Sequence, residues 1–498
     1  MSSTSRTWYL LRLGLALLFA CSLAGCSLGT TERVSCTTTL GCRGTFGLGS
    51  TCGGGGFCSA AKSIPRCSRS FPADVLSDFA AHKDDILIGA LFSFKDNNDN
   101  IQAAELAVSQ VNDNNGLEGR KFALISCDTT AAAGDQLTDL EAAALGSTFL
   151  ARELAIPVIV GPRGSGRTQA AFQALPAGQV VVISPSATSP ALAAIDNTAP
   201  SDAEPGFLWR TVPPDSLQSE VIAADMKSRG VKKVAVIHQT GAYGDSLAAL
   251  FVERFSADNP NSLVKEAPFS AAGGIGERVS AIAAEIDGGN VEEVLFLSSD
   301  LADYRSFVAS ATATPDQQQT FAKLGGDGGI FFADTARDAA LFKDAGPQSD
   351  LLLQKIRGTR LSPAEGAVFN QFAGAYSAKY SGSAANAAFT ANSYDAVWLA
   401  MFASAWSELR ERGPSALGVA RGLRALSSGE KFNLQPSSWA LVLDRLARGQ
   451  TVNVDGASGS LDYDPATEET RAPIETWKVV RAEGTPPWGF ARVTVTEP

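Results

Sequence analysis

The sequence predicts an α/β protein made of two doubly wound parallel-sheet lobes joined by a hinge. Three observations carry that prediction. From Asp85 onward, short apolar runs of strand length alternate with amphipathic stretches of helical spacing. After Trp209-Arg210 the alternation starts again as a second series. The chain has 498 residues, enough for two to four domains at roughly 100–200 residues each. Alternation of this βαβα kind implies parallel strands with helices on both faces.

The elements follow in order. Ile86-Leu87-Ile88-Gly89-Ala90-Leu91 is the first strand. Asp99 or Asn100 caps a helix over 101–114, in which Ala104, Ala107, Val108 and Val111 share one face. Gly116 is its stop signal. Residues 121–127 form a strand, 135–154 a helix and 157–160 a strand, closed by the turn Gly161-Pro162. Residues 169–175 are helical, 180–183 form a strand, and Ser184-Pro185 ends it. In the second series 216–229 is a helix, 231–238 a strand, 245–255 a helix, 293–297 a strand and 323–326 a shorter strand.

Composition narrows the function. Apolar residues make up 45% and charged residues 19%, so most of the chain folds around a core. The net charge of −11 argues against a nucleic-acid partner, which calls for a basic footprint. Only His82 and His238 are present, which excludes a His-rich zinc site and leaves a Ser-His-Asp triad two candidates. No metal and no cofactor is expected.

The first 25 residues read as a secretory signal: Arg6 and Arg12 near the start, a continuous apolar stretch over 13–20, then small residues. That stretch is shorter than the ~20 residues of a membrane span. Leu23-Ala24-Gly25-Cys26 resembles a bacterial lipobox. The resemblance implies diacylglycerol on Cys26 and an exported chain, lipid-anchored at the cell envelope. Residues 26–84 are then expected to be a lipidated Cys/Gly-rich spacer, with a partner-binding module as the alternative. Cys36, Cys42, Cys52, Cys58 and Cys67 have no Cys-x-x-Cys spacing, and no histidine lies within 27–70, so zinc and thioredoxin chemistry are unsupported. In an oxidising compartment they suggest a small disulfide knot. Five cysteines cannot all pair among themselves; the odd one is free, pairs with Cys127, or pairs between chains.

Several stretches carry a family resemblance. They are Val160-Gly161-Pro162-Arg163-Gly164-Ser165, Ile183-Ser184-Pro185-Ser186-Ala187-Thr188-Ser189-Pro190 and Thr240-Gly241-Ala242-Tyr243-Gly244. Asn115-Gly116-Leu117-Glu118-Gly119-Arg120, Arg210 with Asp215 and Gln218, Ser393-Tyr394-Asp395-Ala396-Val397 and Gly456-Ala457-Ser458-Gly459 support them. Together they resemble the type I periplasmic binding proteins of the leucine/isoleucine/valine-binding kind, over roughly 85–495. The resemblance implies two lobes with repeated crossings: 85–211 with 346–443, and 212–345 with 444–498.

Chemistry and resemblance then point to a cleft. An amino acid presents a carboxylate, which suits hydroxyls and amides at a helix start, and an ammonium, which suits an acid. Ser165 follows a strand and precedes a helix; Ser186, Ala187 and Thr188 occupy the next such turn. The resemblance implies that the matching serine and threonine hold the ligand's carboxylate and amine, although Ser165 and Thr188 also suit helix caps. It implies an ammonium partner at Asp327, within Leu324-Gly325-Gly326-Asp327-Gly328, where Asp-Gly is also a common turn pair. Tyr243 would cover the ligand with its ring, or pack as a loop aromatic. An aromatic expected near Leu297-Ser298-Ser299-Asp300 is missing, which leaves Ser299 or Asp300 to face the cleft. Arg163 would recognise a second carboxylate, or sit as a rim charge. A cysteine that some relatives carry at the position of Gly164 is absent, so Cys127 has no partner there. The run Asp96-Asn97-Asn98-Asp99-Asn100 resembles a calcium loop in composition only and is read as a solvated loop at the cleft edge.

The expected function is a solute-binding lipoprotein that closes on a small amino-acid-like ligand and presents it to an ABC permease. The alternatives are a ligand-sensing receptor component without transport, an exported hydrolase, and an envelope protein without a ligand. The hydrolase is disfavoured because Gly164-Ser165-Gly166 lacks the outer spacing of a nucleophile elbow.

Overall fold

The computed structural model describes residues 33–131, 136–257, 260–270, 273–325, 328–363, 365–384 and 388–498. Cys26 and Asp327 lie outside these residues. Among the described residues no helix is long and apolar enough to cross a membrane.

The cysteine-rich segment has its own elements. Helix Thr39–Phe46, capped by the Thr38 hydroxyl, leads into a hairpin of β1 (Ser50–Cys52) and β2 (Cys58–Ala60). Disulfides Cys36–Cys52 and Cys42–Cys58 cross-link it. The segment is no spacer; it docks on the domain that follows. Thr39 donates to the Arg152 carbonyl at 3.0 Å and Arg43 to that of Leu154 at 3.1 Å. Leu48 and Val75 are buried in one cluster with Ala123, Ile125 and Phe149. The odd cysteine, Cys67, is bonded to Cys127. Arg66 donates to the carbonyls of Asp128 and Thr130, and β3 (Arg69–Phe71) joins the edge of the first large sheet.

That sheet runs β3-β5-β4-β6-β7-β8, where β4 is Ile86–Phe92, β5 Phe122–Asp128, β6 Val158–Val160, β7 Val181–Ser184 and β8 Leu208–Arg210. Every pairing except β3–β5 is parallel. β4 is buried at every residue, as an apolar strand covered on both faces must be. Its alternation sorts the two faces. Ile86, Ile88, Ala90 and Phe92 pack with helices Asn98–Asp113 and Thr390–Glu411, while Leu87 and Leu91 pack with helix Asp139–Arg152. A capping box of Thr138 and Glu141 starts the last of these. The acidic-amide run at 96–100 is only in part the solvated loop expected: Asp96 is an exposed turn residue, and the loop ends at Asn97. Asn98 opens the helix, and Asn100 is buried, bonded to Ser393 and Arg163.

The second sheet runs β10-β9-β11-β12-β13-β17-β18. β9 is Val234–Gln239, β10 Leu263–Phe269, β11 Glu293–Leu297, β12 Ile330–Phe332 and β13 Ile356–Leu361. A small sheet of β14 (Glu430–Asn433), β15 (Val452–Gly456) and β16 (Gly459–Ser460) returns to the first lobe before β17 (Ile474–Arg481) and β18 (Trp488–Thr496) complete the second. β9 to β13 are mutually parallel; β17 and β18 are antiparallel. Over 323–325, the described part of the expected strand 323–326, no strand forms. Helix Pro315–Ala322 ends there, with Lys323 its C-cap, and the strand is β12.

The crossings also differ from those the resemblance implies. Leu352, Leu353 and Ile356 belong to the second core, and Leu446, Val452, Val454 and Leu461 to the first. The chain therefore passes between lobes after β8, after β13 and before β17.

Candidate functional site

The carboxyl ends of β6, β7, β9, β11 and β12 face one another across the two lobes, the place where doubly wound sheets take ligands. On the first lobe two turns form one unit. Gly164, at φ 83°, precedes helix Ser165–Gln173; its amide donates to the Ser186 hydroxyl at 3.0 Å. The Ser165 hydroxyl accepts from the Ser189 amide at 3.1 Å, and the Ala187 amide donates to Ser184 at 3.2 Å. These bonds hold the second turn against the first and occupy the Ala187 amide inside the loop. Thr188 differs: its buried hydroxyl makes no close hydrogen bond and faces the Asp215 carboxylate, and its carbonyl accepts from the Asp215 amide at 2.8 Å.

A buried arginine braces this turn. Arg210, at the end of β8, donates to the carbonyls of Ala187 (3.2 Å) and Ser189 (2.8 Å) and pairs with Glu469. Next to it, Asp215 is buried; its carboxylate faces the Thr188 hydroxyl and makes no close hydrogen bond. Burial raises its pKa to about 7, against the pull of Thr188 and Arg210.

The second lobe supplies Tyr243, Asp300 and Asp334. Tyr243 is the N-cap of helix Gly244–Ser256, buried, with its hydroxyl unpartnered. Burial, and then the negative field of Asp334, push its pKa well above the usual value, so the hydroxyl keeps its proton. Asp334 follows β12 at its carboxyl end and accepts from Gln218 at 2.7 Å. Burial and the neighbouring Asp215 push its pKa well up. Asp300 has another task. It pairs with Arg167 of the first lobe at 3.1 Å and accepts from Gln239 at 3.2 Å. Ser299 donates to Gln239 at 2.8 Å. Together with a 2.9 Å bond between Ser189 and Ser246, the Arg167–Asp300 pair ties the two lobes across the cleft. Arg163 is partly buried, donates to Asn100 at 3.2 Å, lies 5.2 Å from the centre of the Phe389 ring, and leaves its Nε unpartnered. Burial lowers its pKa to about 10.

The structure thus brings together Thr188, Tyr243, Asp215 and Asp334, with Ser165 and Ser186 shaping the loop and Arg163 beside it. Asp215 and Asp334 were not assigned to the cleft from the sequence. The spacing Arg210, Asp215, Gln218 was visible there, and Asp334 was hidden by the misplaced strand. A cavity of about 560 Å³ opens between the lobes with Asp334 in its wall.

A family profile described as the receptor family ligand binding region matches residues 101–478. The chain is 26% identical over 400 residues to the chemotactic signal transduction system substrate-binding protein BasB of Halobacterium salinarum, covering 77% of this chain and 85% of that one. In fold it is similar to the branched-chain amino acid transporter substrate-binding protein LivJ of Streptococcus pneumoniae, solved with isoleucine. The TM-score is 0.58 and the identity 18%, over 82% of this chain and 100% of that one. A solute-binding protein of an ABC transporter from Rhodopseudomonas palustris, solved with 3,4-dihydroxybenzoic acid, matches with TM-score 0.60 and 16% identity, over 83% and 98%. The two-lobed frame is that of the type I periplasmic binding proteins, and with the profile running from the first helix of lobe one to the last-but-one strand, the chain belongs to the receptor family ligand binding region.

Proposed function

We propose that the chain is an exported solute-binding lipoprotein, anchored through Cys26, that captures a small amino-acid-like ligand between its lobes and presents it to an ABC permease. One observation carries the reading: at the buried cleft the Tyr243 hydroxyl bonds nothing, and the side chains of Thr188 and Asp215 make no close hydrogen bond and have only each other to turn to. Buried polar groups are ordinarily satisfied, and leaving one unmade costs about 1–3 kcal/mol. A ligand carboxylate accepts from the Thr188 and Tyr243 hydroxyls. A ligand ammonium is met by Asp215 and Asp334, and takes the place proposed from the sequence for Asp327.

Closure follows from the same groups. In an open cleft water solvates both acids. Closing strips that water, and two buried acids resist it, as their pKa values, raised chiefly by burial, reflect. A bound ammonium supplies the missing charge, so ligand and closed form stabilise each other. Arg167–Asp300 and Ser189–Ser246 then hold the closed form. A thermal-shift screen of the folded chain against amino acids and small carboxylates tests this, because a ligand of the native state raises the melting temperature. No shift with any of them would sink the reading.

The similarity to BasB favours a second reading, in which the closed form signals to a receptor without transport. Cells lacking the protein would then take up the ligand normally and fail to respond to it.

A further inference from the structure

The inter-lobe cavity carries charge that a neutral amino acid leaves unused. Arg337, Arg360 and Arg492 line it from the second lobe. Two of them are neutralised. Arg360 pairs with Glu475 at 2.9 Å, and Arg492 pairs with Glu475 at 2.9 Å and with Glu365. Arg337 has no ion pair among the described residues. Its buried Nε has no hydrogen-bond partner, and its guanidinium lies 4.1 Å from the centre of the Phe490 ring. The next residue, Asp338, accepts from the Ala340 amide at 2.8 Å instead and does not come within ion-pair distance of Arg337. Burial, with Arg360 beside it, lowers the Arg337 pKa to about 10, which still leaves it charged at neutral pH.

The first lobe completes the cavity with Phe389, Asn392 and Ser458. Phe389 carries Arg163 on its ring. Two guanidinium groups that make no direct ion pair among the described residues, with Asp338 the acid nearest in effect to Arg163 and Glu475 to Arg337, therefore flank one cavity, one from each lobe. A crevice of about 510 Å³ elsewhere on the first lobe makes the contrast: its Arg421 and Arg424 are already paired with Glu411, Asp202 and Glu468. A cation that folding buries without a partner loses solvation and gains nothing in return, unless an anion arrives.

We propose that this cavity is an anion subsite with Arg337 as its specificity-determining residue, and that the solute is a small acid with a second carboxylate: a dicarboxylate or an acidic amino acid. The planar guanidinium fork suits a carboxylate. Asp334 lies in the wall of the cavity and beside the Tyr243 and Asp215 cluster, so one molecule of a few carbons reaches both. The inference rests on the reading of the cleft as a solute site, and Arg163 stands behind Phe389 as a second source of positive field.

Calorimetric titration of the whole protein with matched pairs tests it: L-glutamate against L-glutamine, L-2-aminoadipate against L-leucine, and terephthalate against benzoate. The expected result is a preference of roughly tenfold or more for the dicarboxylate of at least one pair. Arg337→Gln removes that preference and leaves the weaker partner's affinity within about twofold. Arg337→Lys keeps the charge without the fork, retains part of the preference, and serves where the glutamine variant fails to fold. Equal affinity within every pair, or a preference that is undiminished in Arg337→Gln (in Arg337→Lys where the glutamine variant does not fold), overturns the anion subsite and leaves the solute reading standing. Binding of none of the six compounds, nor of any other member of the thermal-shift panel, overturns both.

Discussion

Asp334→Asn separates charge from shape at the proposed ammonium site. The carboxylate accepts from Gln218 at 2.7 Å. Asparagine keeps an acceptor oxygen for that bond and nearly the same volume, so the loss is the negative charge. A hydrogen bond to a charged group contributes about 1.5–3 kcal/mol, which is a roughly tenfold to hundredfold loss of affinity for an amino acid. For the same molecule without its amino group the loss should be within about twofold. Titration calorimetry with the tightest amino acid from the screen and its deamino counterpart reads the ratio. A built-in control comes from the ligand-free protein. Burial disfavours the ionised acid, so removing it should not lower the melting temperature at pH 8. A ratio unchanged by the substitution refutes the ammonium site. A melting temperature several degrees lower shows instead that Asp334 is a structural ion.

Other expectations follow from the same geometry. Thr188→Ala removes a donor that makes no close hydrogen bond and should weaken carboxylate binding about tenfold, read by the same titration. Asp215 holds its proton to about pH 7 when folded, whereas an unfolded aspartate releases it near ~3.9. The ligand-free protein should therefore be most stable below about pH 4 as far as this group is concerned, lose that stability as pH rises toward 7, and show a flatter melting profile as Asp215→Asn. Asp300→Ala breaks the partly exposed tie to Arg167; a several-fold faster ligand release in stopped-flow is expected, with little change in association. Replacing Cys67 and Cys127 together by serine opens a link between residues 60 apart in sequence and should cost roughly 4 kcal/mol in denaturant unfolding. An intact-mass measurement should find a diacylglyceryl group on Cys26; an unmodified N-terminus at another residue contradicts the anchor.

Much of the frame was legible because its strands are long apolar runs. β4 and β5 appear within a residue of their expected bounds, and β11 at its expected bounds, since a strand buried on both faces is written as an unbroken hydrophobic stretch. β3 was illegible for the opposite reason. It is three residues of edge, half-exposed, whose place is set by the Cys67–Cys127 bond and by Arg66 rather than by its own pattern. Leu324 and the glycines after it looked like a strand end; helix Pro315–Ala322 stops there, and the short apolar run that forms the strand comes later. Asp327 lies outside the described residues, and the acid proposed here for the ammonium, Asp334, follows the later strand. The cleft serines and Thr188 were readable from their strand–turn–helix setting. What letters do not reveal is which hydroxyl is already occupied: Ser165 and Ser186 bond the loop, and the Thr188 hydroxyl makes no close hydrogen bond. Disulfide connectivity was equally closed to reading, since it depends on which chain segments meet in space.

The docked cysteine-rich segment decides which half of the molecule is mechanical ground. Its helix, its hairpin and β3 are fastened to the first lobe alone, by Cys67–Cys127, by the Arg69–Glu105 pair and by bonds to Arg152 and Leu154. A tether at the N-terminus, as proposed, would grip a stator, and the second lobe would be the rotor. Load on such a tether would pass into the edge of a sheet and bypass the three hinge links, so a pull there would neither open nor close the cleft. A partner that held the first lobe in register would read ligand occupancy as displacement of the second lobe.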